Sequence, residues 1–246
     1  MSSMIQQTNS RVLVAGASGR TGFEILRELA NTSLHVRAFT RSASKRDSLV
    51  ENGANDVVVG DLLNPADARA AVENCDAVLF AAGSTLSTGL LRPSRVVDGT
   101  GVINLIDAAV DEGVHDFVFQ STIGVGDSRR GMPLWARLAV LRWTVREKKR
   151  AEQALRDSGL EYVVLRPGWL TDEQTTSDLL LAEGGGSMTG SVSRSDVARL
   201  MVAALFTPVA SNQTIEVVAE DDAEDVDPSH LVTVEWNLNV GAHTAP

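Results

Sequence analysis

An α/β fold, a doubly wound and mostly parallel sheet with helices on both faces, is predicted by three observations. Short aliphatic or β-branched runs alternate with longer stretches of helical period, the pattern of successive βαβ units. The first run leads at once into a glycine-rich turn and an amphipathic stretch. No internal repeat at solenoid spacing competes with that alternation.

The elements follow in order. Arg11-Val12-Leu13-Val14-Ala15 reads as a buried strand, and after the glycines Gly22, Ile25, Leu26 and Leu29 share one helix face. His35 to Phe39 is the second strand, with a helix through Leu49, and Asp56 to Val59 is the third. Asn64-Pro65 opens another helix, with proline at the first helical position where its missing N–H costs nothing. Ala77 to Phe80 and Asp116 to Phe119 are the fourth and fifth strands, separated by a helix that turns Val102, Ile106, Ala109 and Val110 to the sheet. A long helical stretch from about Leu134 to Asp157 stops at Ser158-Gly159. Tyr162 to Leu165 is the sixth strand. Beyond it the pattern loosens: Gly184-Gly185-Gly186 is a turn, Ser193 to Asp196 cap a helix to Phe206, and Thr214 to Val218 form a late strand.

Because no linker interrupts them, residues 1–218 are read as one domain, in which 160–218 make a small C-terminal substrate-side lobe. Residues 219–246 are an acidic tail. Eight of the 32 acids lie beyond Arg199, where no Lys or Arg occurs, so the first 199 residues hold 24 acids against 22 bases. So nearly neutral a body argues against a nucleic-acid binder, and the tail is expected to be a solvated end. Leu231 to Val234 could add an edge strand or stay loose.

No apolar run approaches the roughly 18 residues that span a bilayer, and Met1 to Gln7 lack the features of a signal peptide. A cytoplasmic protein without membrane contact is expected, as a monomer or homodimer. Cys75 is the only cysteine, hence a buried unreactive thiol, and the four histidines show no ligand spacing, so no metal is expected. The basic amphipathic stretch around Trp135, Leu138, Leu141 and Trp143 reads as a core-covering helix.

Gly16, Gly19 and Gly22 stand between a strand and a helix. Glycines there let the backbone turn tightly and approach a diphosphate, which the free N–H groups of the helix start then bind. Gly16-Ala17-Ser18-Gly19-Arg20-Thr21-Gly22 is therefore the expected seat of a nicotinamide dinucleotide on a Rossmann sheet. The second strand ends Thr40-Arg41-Ser42 without the acid that would accept a ribose hydroxyl, and arginine there suits a 2′-phosphate. Arg41, with Arg20 approaching from the glycine loop, points to NADP(H) over NAD(H). A charge-assisted bond from each is worth roughly 1.5–3 kcal/mol. Asp61-Leu62 and Ala81-Ala82-Gly83 fall at carboxyl ends of parallel strands, where ligands lie. Asp61 can accept from an adenine amino group or serve as a helix cap, and the small residues allow close approach of the cofactor.

Together with Ser121-Thr122, Ala151-Glu152-x-x-Leu155-x-x-Ser158-Gly159-Leu160, Leu165-Arg166-Pro167-Gly168 and Ser193 to Ala198, these motifs resemble the atypical short-chain dehydrogenase/reductases, over about residues 11 to 218. Within that group the chain is similar to the branch of NmrA-like proteins and biliverdin/flavin reductases. The resemblance implies a Ser, Tyr and Lys machinery. Its Lys falls on Lys148, but its Tyr falls on Thr144, and the only tyrosine, Tyr162, sits in the sixth strand. An alcohol cannot replace the phenol as an acid near neutral pH.

The resemblance thus implies an NADPH-dependent oxidoreductase with direct hydride transfer to a small or medium planar acceptor (flavin, quinone or conjugated carbonyl). Lys148 would bind the nicotinamide ribose, Ser121 or Thr122 would orient the substrate, and Pro167-Gly168 would face the nicotinamide. Plainer readings stand beside these: Lys148 as a solvated helix residue among Arg146, Lys149 and Arg150, and Pro167-Gly168 as a loop. The rival function is a non-catalytic NADP(H)-binding redox sensor or scaffold; a nucleotide-sugar epimerase would need a proton-transfer pair that the sequence does not display.

Overall fold

The computed structural model describes residues 10–83, 97–128, 141–175, 178–184 and 188–237. Its central sheet has eight strands: β1 (Arg11–Ala15), β2 (His35–Thr40), β3 (Asp56–Val59), β4 (Ala77–Phe80), β5 (Asp116–Gln120), β6 (Glu161–Pro167), β8 (Leu179–Glu183) and β10 (Gln213–Ala219). Their order is β3-β2-β1-β4-β5-β6-β10-β8. Every pairing is parallel except that of β8, which runs antiparallel to β10. The order reverses between β1 and β4, so a crevice opens there at the carboxyl ends of the strands, the place where doubly wound sheets bind ligands. A separate pair of short parallel strands, β7 (Trp169–Thr171) and β9 (Ser191–Ser193), lies beyond the end of β6.

Each face of the sheet buries its own core. On one, α1 (Arg20–Leu29) packs against α6 (Arg194–Ala204), enclosing Val12, Val14, Ile25, Leu26, Val197 and Met201. On the other, α3 (Pro65–Val72), α4 (Val102–Asp111) and α5 (Leu141–Asp157) cover Leu13, Val78, Phe80, Phe117, Phe119, Ile106 and Leu155. The strand residues alternate between the two faces, as period-2 geometry requires; α2 (Arg46–Glu51) lies beside β3. Helix starts follow their caps: Asn64 accepts from the Ala66 N–H at α3, with Pro65 behind it, and Ser193 accepts from the Asp196 N–H at α6. Gly159 ends α5 in the left-handed region at φ 83°.

The predicted strands and helices are present, β2, β5, β6 and β10 being one to three residues longer than their apolar runs. Strands β7, β8 and β9 were not separable by pattern: β7 and β9 have three residues each, and β8 is a continuous apolar run. The helix predicted from Leu134 begins at Leu141 among the described residues; the Trp135 and Leu138 part of the amphipathic stretch lies outside them. From residue 219 to residue 237 the chain stays on the body. Glu224 bridges Thr189, Leu231 bridges Ala182, the Val232 N–H donates to the Leu181 carbonyl, and Val234 is buried. The acids there are exposed, as the sequence suggests, while the apolar residues between them hold the segment to β8. Cys75 is buried, and burial pushes its thiol up to about 11, in keeping with an unreactive group. No helix of the described residues is long and apolar enough to cross a membrane.

Candidate functional site

The three glycines answer to different demands. A Cβ on Gly16, whose φ is 85°, would stand 2.5 Å from the backbone nitrogen of Ala82, and one on Gly22 would stand 2.2 Å from the Gly16 carbonyl oxygen. Both are required by the protein itself, to seat the turn against the end of β4 and the helix against the turn. Gly19 is different. Its φ is −83°, open to any residue, and an added Cβ would meet only the Gly16 oxygen, at 3.2 Å. The space beside Gly19 is thus left clear by the protein, as close approach of a ligand's diphosphate requires.

The helix start is equally open. No side chain caps α1, and its first turn contains no acid. The N–H groups of Arg20, Thr21 and Gly22, which have no intrahelical acceptor, and the positive end of the helix dipole stay available to an anion. The Thr40 hydroxyl donates to Ser18 Oγ at 3.1 Å, fixing the turn to the end of β2. Arg41 and Ser42 follow there, both exposed. These donors and the clear space at Gly19 fit a dinucleotide.

Arg20 does not lie free beside Arg41. Its Nη1 donates to Asp172 Oδ2 at 2.6 Å, and Arg194 Nη1 donates to Asp172 Oδ1 at the same distance. Desolvation acts against the ionised carboxyl of Asp172, but the hydrogen bonds and charges of Arg20 and Arg194 together outweigh it and hold it below the usual carboxylate range.

At the other rim positions the assignments divide. Asp61 is half-buried; its Oδ1 accepts from the Leu63 N–H and its own N–H goes to Asp67, while the helix cap is Asn64. Leu62 is a core residue whose side chain is buried and whose carbonyl accepts from Asn104. Ala81 and Ala82 are half-buried and Gly83 is exposed at the end of β4. The Pro167 carbonyl accepts from the Ile123 N–H, the Gly168 N–H donates to Val217, and a Cβ on Gly168 would stand 2.2 Å from the Gly190 oxygen. This glycine is therefore required by the seating of β9.

Around the end of β5 lie the residues expected to act on substrate. Lys148 is not a solvated helix residue. It is 8% exposed, its Nζ donates to the Gln120 carbonyl at 3.0 Å, lies 3.3 Å from the buried carboxylate of Asp98, and stands over the Phe119 ring. Thr144, one turn earlier on α5, is half-buried, and so is Thr122. Ser121 is buried and donates to Glu152 Oε1 at 2.6 Å.

Glu152 is the centre of a network that sequence reasoning did not assign. Arg166, 2% exposed, gives it two bonds, from Nε at 3.1 Å and Nη2 at 2.8 Å, and a third to Asp127 at 2.5 Å. Arg156 adds a bond to Glu152 at 2.9 Å. The signal was present: an arginine in the strand Val163-Val164-Leu165-Arg166, and a glutamate on the buried side of α5, each demand a partner.

Comparison with known proteins places these features. The model of a family described as NAD(P)H-binding matches residues 16–208. An uncharacterised chloroplastic protein of Arabidopsis thaliana is 31% identical over 219 residues, 87% of this chain and 78% of its own. Two solved structures superpose closely. One, described as an NAD-dependent epimerase/dehydratase from Bacillus halodurans, has 29% identity and a TM-score of 0.74, over 87% of this chain and 95% of that one. The other is an anaerobilin reductase from Escherichia coli O157:H7, with 25% identity and a TM-score of 0.75, over 86% and 98%.

Proposed function

Since the chain belongs to this NAD(P)H-binding family, we propose that it is an NADPH-dependent oxidoreductase of the atypical short-chain dehydrogenase/reductase type. Its substrate is a small or medium planar acceptor: a flavin, a quinone or a conjugated carbonyl. The observation that carries this reading is a pair of positions on α5. Lys148 is buried against the end of β5 with its ammonium held by Gln120 and Asp98, while one turn back stands Thr144.

When bound, the reduced nicotinamide supplies a hydride. The residues of this chain do the rest. The amides of Arg20, Thr21 and Gly22 receive the diphosphate, and Arg41 with the Ser42 hydroxyl meets a 2′-phosphate at the end of β2, where no acid would repel it. Lys148 directs a remaining N–H to the nicotinamide ribose. The threonine hydroxyl at 144 is too weak an acid to protonate an alkoxide. Acceptors whose reduced form takes its proton from water therefore suit the site better than simple carbonyls. The likeness to the anaerobilin reductase from Escherichia coli supports a reductase; the Bacillus halodurans likeness keeps epimerisation in view, but that chemistry needs a proton-transfer pair. The partner is a small molecule rather than a nucleic acid or a membrane. The protein works as a monomer or homodimer in the cytosol, where a free thiol stays reduced.

A second reading, a redox sensor or scaffold that holds NADP(H) without turnover, is favoured by one observation: the Ser121 hydroxyl donates its hydrogen to Glu152 and has none left for a substrate oxygen. Mixing the purified protein with NADPH and a panel of flavins, quinones and carbonyls, and following absorbance at the reduced nicotinamide band, decides between them. Oxidation with a planar acceptor supports the enzyme. Tight binding with no oxidation supports the sensor, and no binding removes both.

A further inference from the structure

Asp172 is built into the substrate-side strands. It follows β7 directly, and Thr171 pairs with Ser193 of β9, so Asp172 and Arg194, the first residue of α6, leave the ends of two adjacent strands side by side. Their bond is local to that small sheet. The sheet is itself well anchored: Gly168 N–H donates to Val217, Trp169 N–H to Gly190, and Ser191 N–H to the Asp222 carboxylate. Arg20 comes from elsewhere, 152 residues earlier, in the first turn of α1. The side chains of Arg20 and Asp172 are 70% and 59% exposed, whereas that of Arg194 is 12% exposed. An ion pair so exposed adds little to the stability of the fold. It does couple the anion-binding end of α1 to the substrate-side sheet.

Asp172 occupies one nitrogen of Arg20, Nη1. A guanidinium presents five N–H donors in a rigid fork, so Arg20 can keep this carboxylate and still donate to a phosphate oxygen at the helix start that carries it. We infer that Asp172 is a positioning residue for the cofactor: it holds the Arg20 guanidinium between the first turn of α1 and the substrate-side sheet, and this fastening retains the bound dinucleotide through its diphosphate. The inference rests on the dinucleotide-binding reading above and moves Arg20 from the 2′-phosphate to the diphosphate, which NADPH and NADH share. Loss of the fastening should then raise the rate of release of both cofactors and leave their rate of capture alone.

The experiment is stopped-flow nicotinamide fluorescence on the full chain, giving association and release rates for NADPH and NADH with wild type, Asp172→Asn, Arg20→Ala and the double variant. The melting temperature without cofactor checks folding. Asp172→Asn should release both cofactors roughly twofold to fivefold faster, the scale of one exposed ion pair, with unaltered association. The double variant should release them no faster than Arg20→Ala alone, because the aspartate acts through that arginine. Unchanged release, tighter binding of either cofactor, or an effect that persists undiminished without Arg20 would overturn the inference while leaving cofactor binding intact. Wild type binding neither dinucleotide would overturn the proposed function, and this inference with it.

Discussion

Ser121, at the carboxyl end of β5, donates its hydroxyl hydrogen to Glu152 of α5 across 2.6 Å, and both residues are buried. That bond ties the rim of the sheet to an ion network in the interior, because Glu152 also accepts two bonds from Arg166. The two ends of the bond have unequal weight. Glu152→Ala leaves the Arg166 guanidinium buried with one carboxylate fewer and should cost about 3–5 kcal/mol of stability, whereas Ser121→Ala should cost about 1 kcal/mol. Urea unfolding of both variants checks this; a Glu152→Ala protein as stable as Ser121→Ala would mean that Arg166 finds another partner.

The glycine turn can be dissected by one methyl group. Gly22→Ala drives a Cβ to 2.2 Å from the Gly16 carbonyl oxygen and should destabilise the fold by about 1–3 kcal/mol. Gly19→Ala needs only a few tenths of an ångström of adjustment at Gly16. It should melt close to wild type yet lose at least about tenfold in dinucleotide affinity, as one lost close contact to a diphosphate implies. Calorimetric binding beside thermal melts reads both; undiminished affinity in Gly19→Ala would remove the diphosphate from this turn.

On the proposed reading, cofactor choice lies at the end of β2. Arg41→Ala should weaken NADPH by roughly tenfold or more, one charge-assisted bond, and leave NADH nearly unchanged. Arg20→Ala should weaken the two alike. Titrations of both cofactors against both variants test the division, and equal losses for Arg41→Ala would take the 2′-phosphate away from that residue.

Glu216 should make stability depend on pH. It is fully buried in β10, its nearest cation is Arg166 at 3.8 Å, and neither carboxylate oxygen makes a hydrogen bond of ordinary geometry, although Ser128 lies close by. Burial pushes its carboxyl from 4.5 up to about 7, against the partial opposition of Arg166. The folded state thus holds this proton more tightly than the unfolded chain. Its contribution is complete below about pH 4.5 and is lost as the pH rises through 7, a change on the order of 3 kcal/mol. Glu216→Gln should flatten that part of the stability profile and be the more stable protein at pH 8. A wild-type profile with no fall between these limits, or the same fall in the variant, would show that Glu216 does not carry it.

Much of this protein was legible along the chain, because its information is local. The run Val12-Leu13-Val14 before Gly16, Gly19 and Gly22 specifies strand, turn and helix through neighbours a few residues apart, and it carries the expectation of a dinucleotide with it. Periodicity likewise separates Ile25, Leu26 and Leu29 from the exposed face of α1. Counting back along the chain also puts Thr144 where the resemblance implies a tyrosine.

What only the tertiary structure decided are the partners of charges. Sequence could mark Arg20, Lys148 and Arg166 as notable, but not that Arg20 reaches Asp172, that Lys148 is buried against Asp98, or that Arg166 and Ser121 meet on Glu152. Strand order places those residues side by side, and a side chain's charge acts through distance in space, which separation along the chain does not encode. The same holds for Leu62, whose position after a strand suggested the crevice while its packing put it in the core.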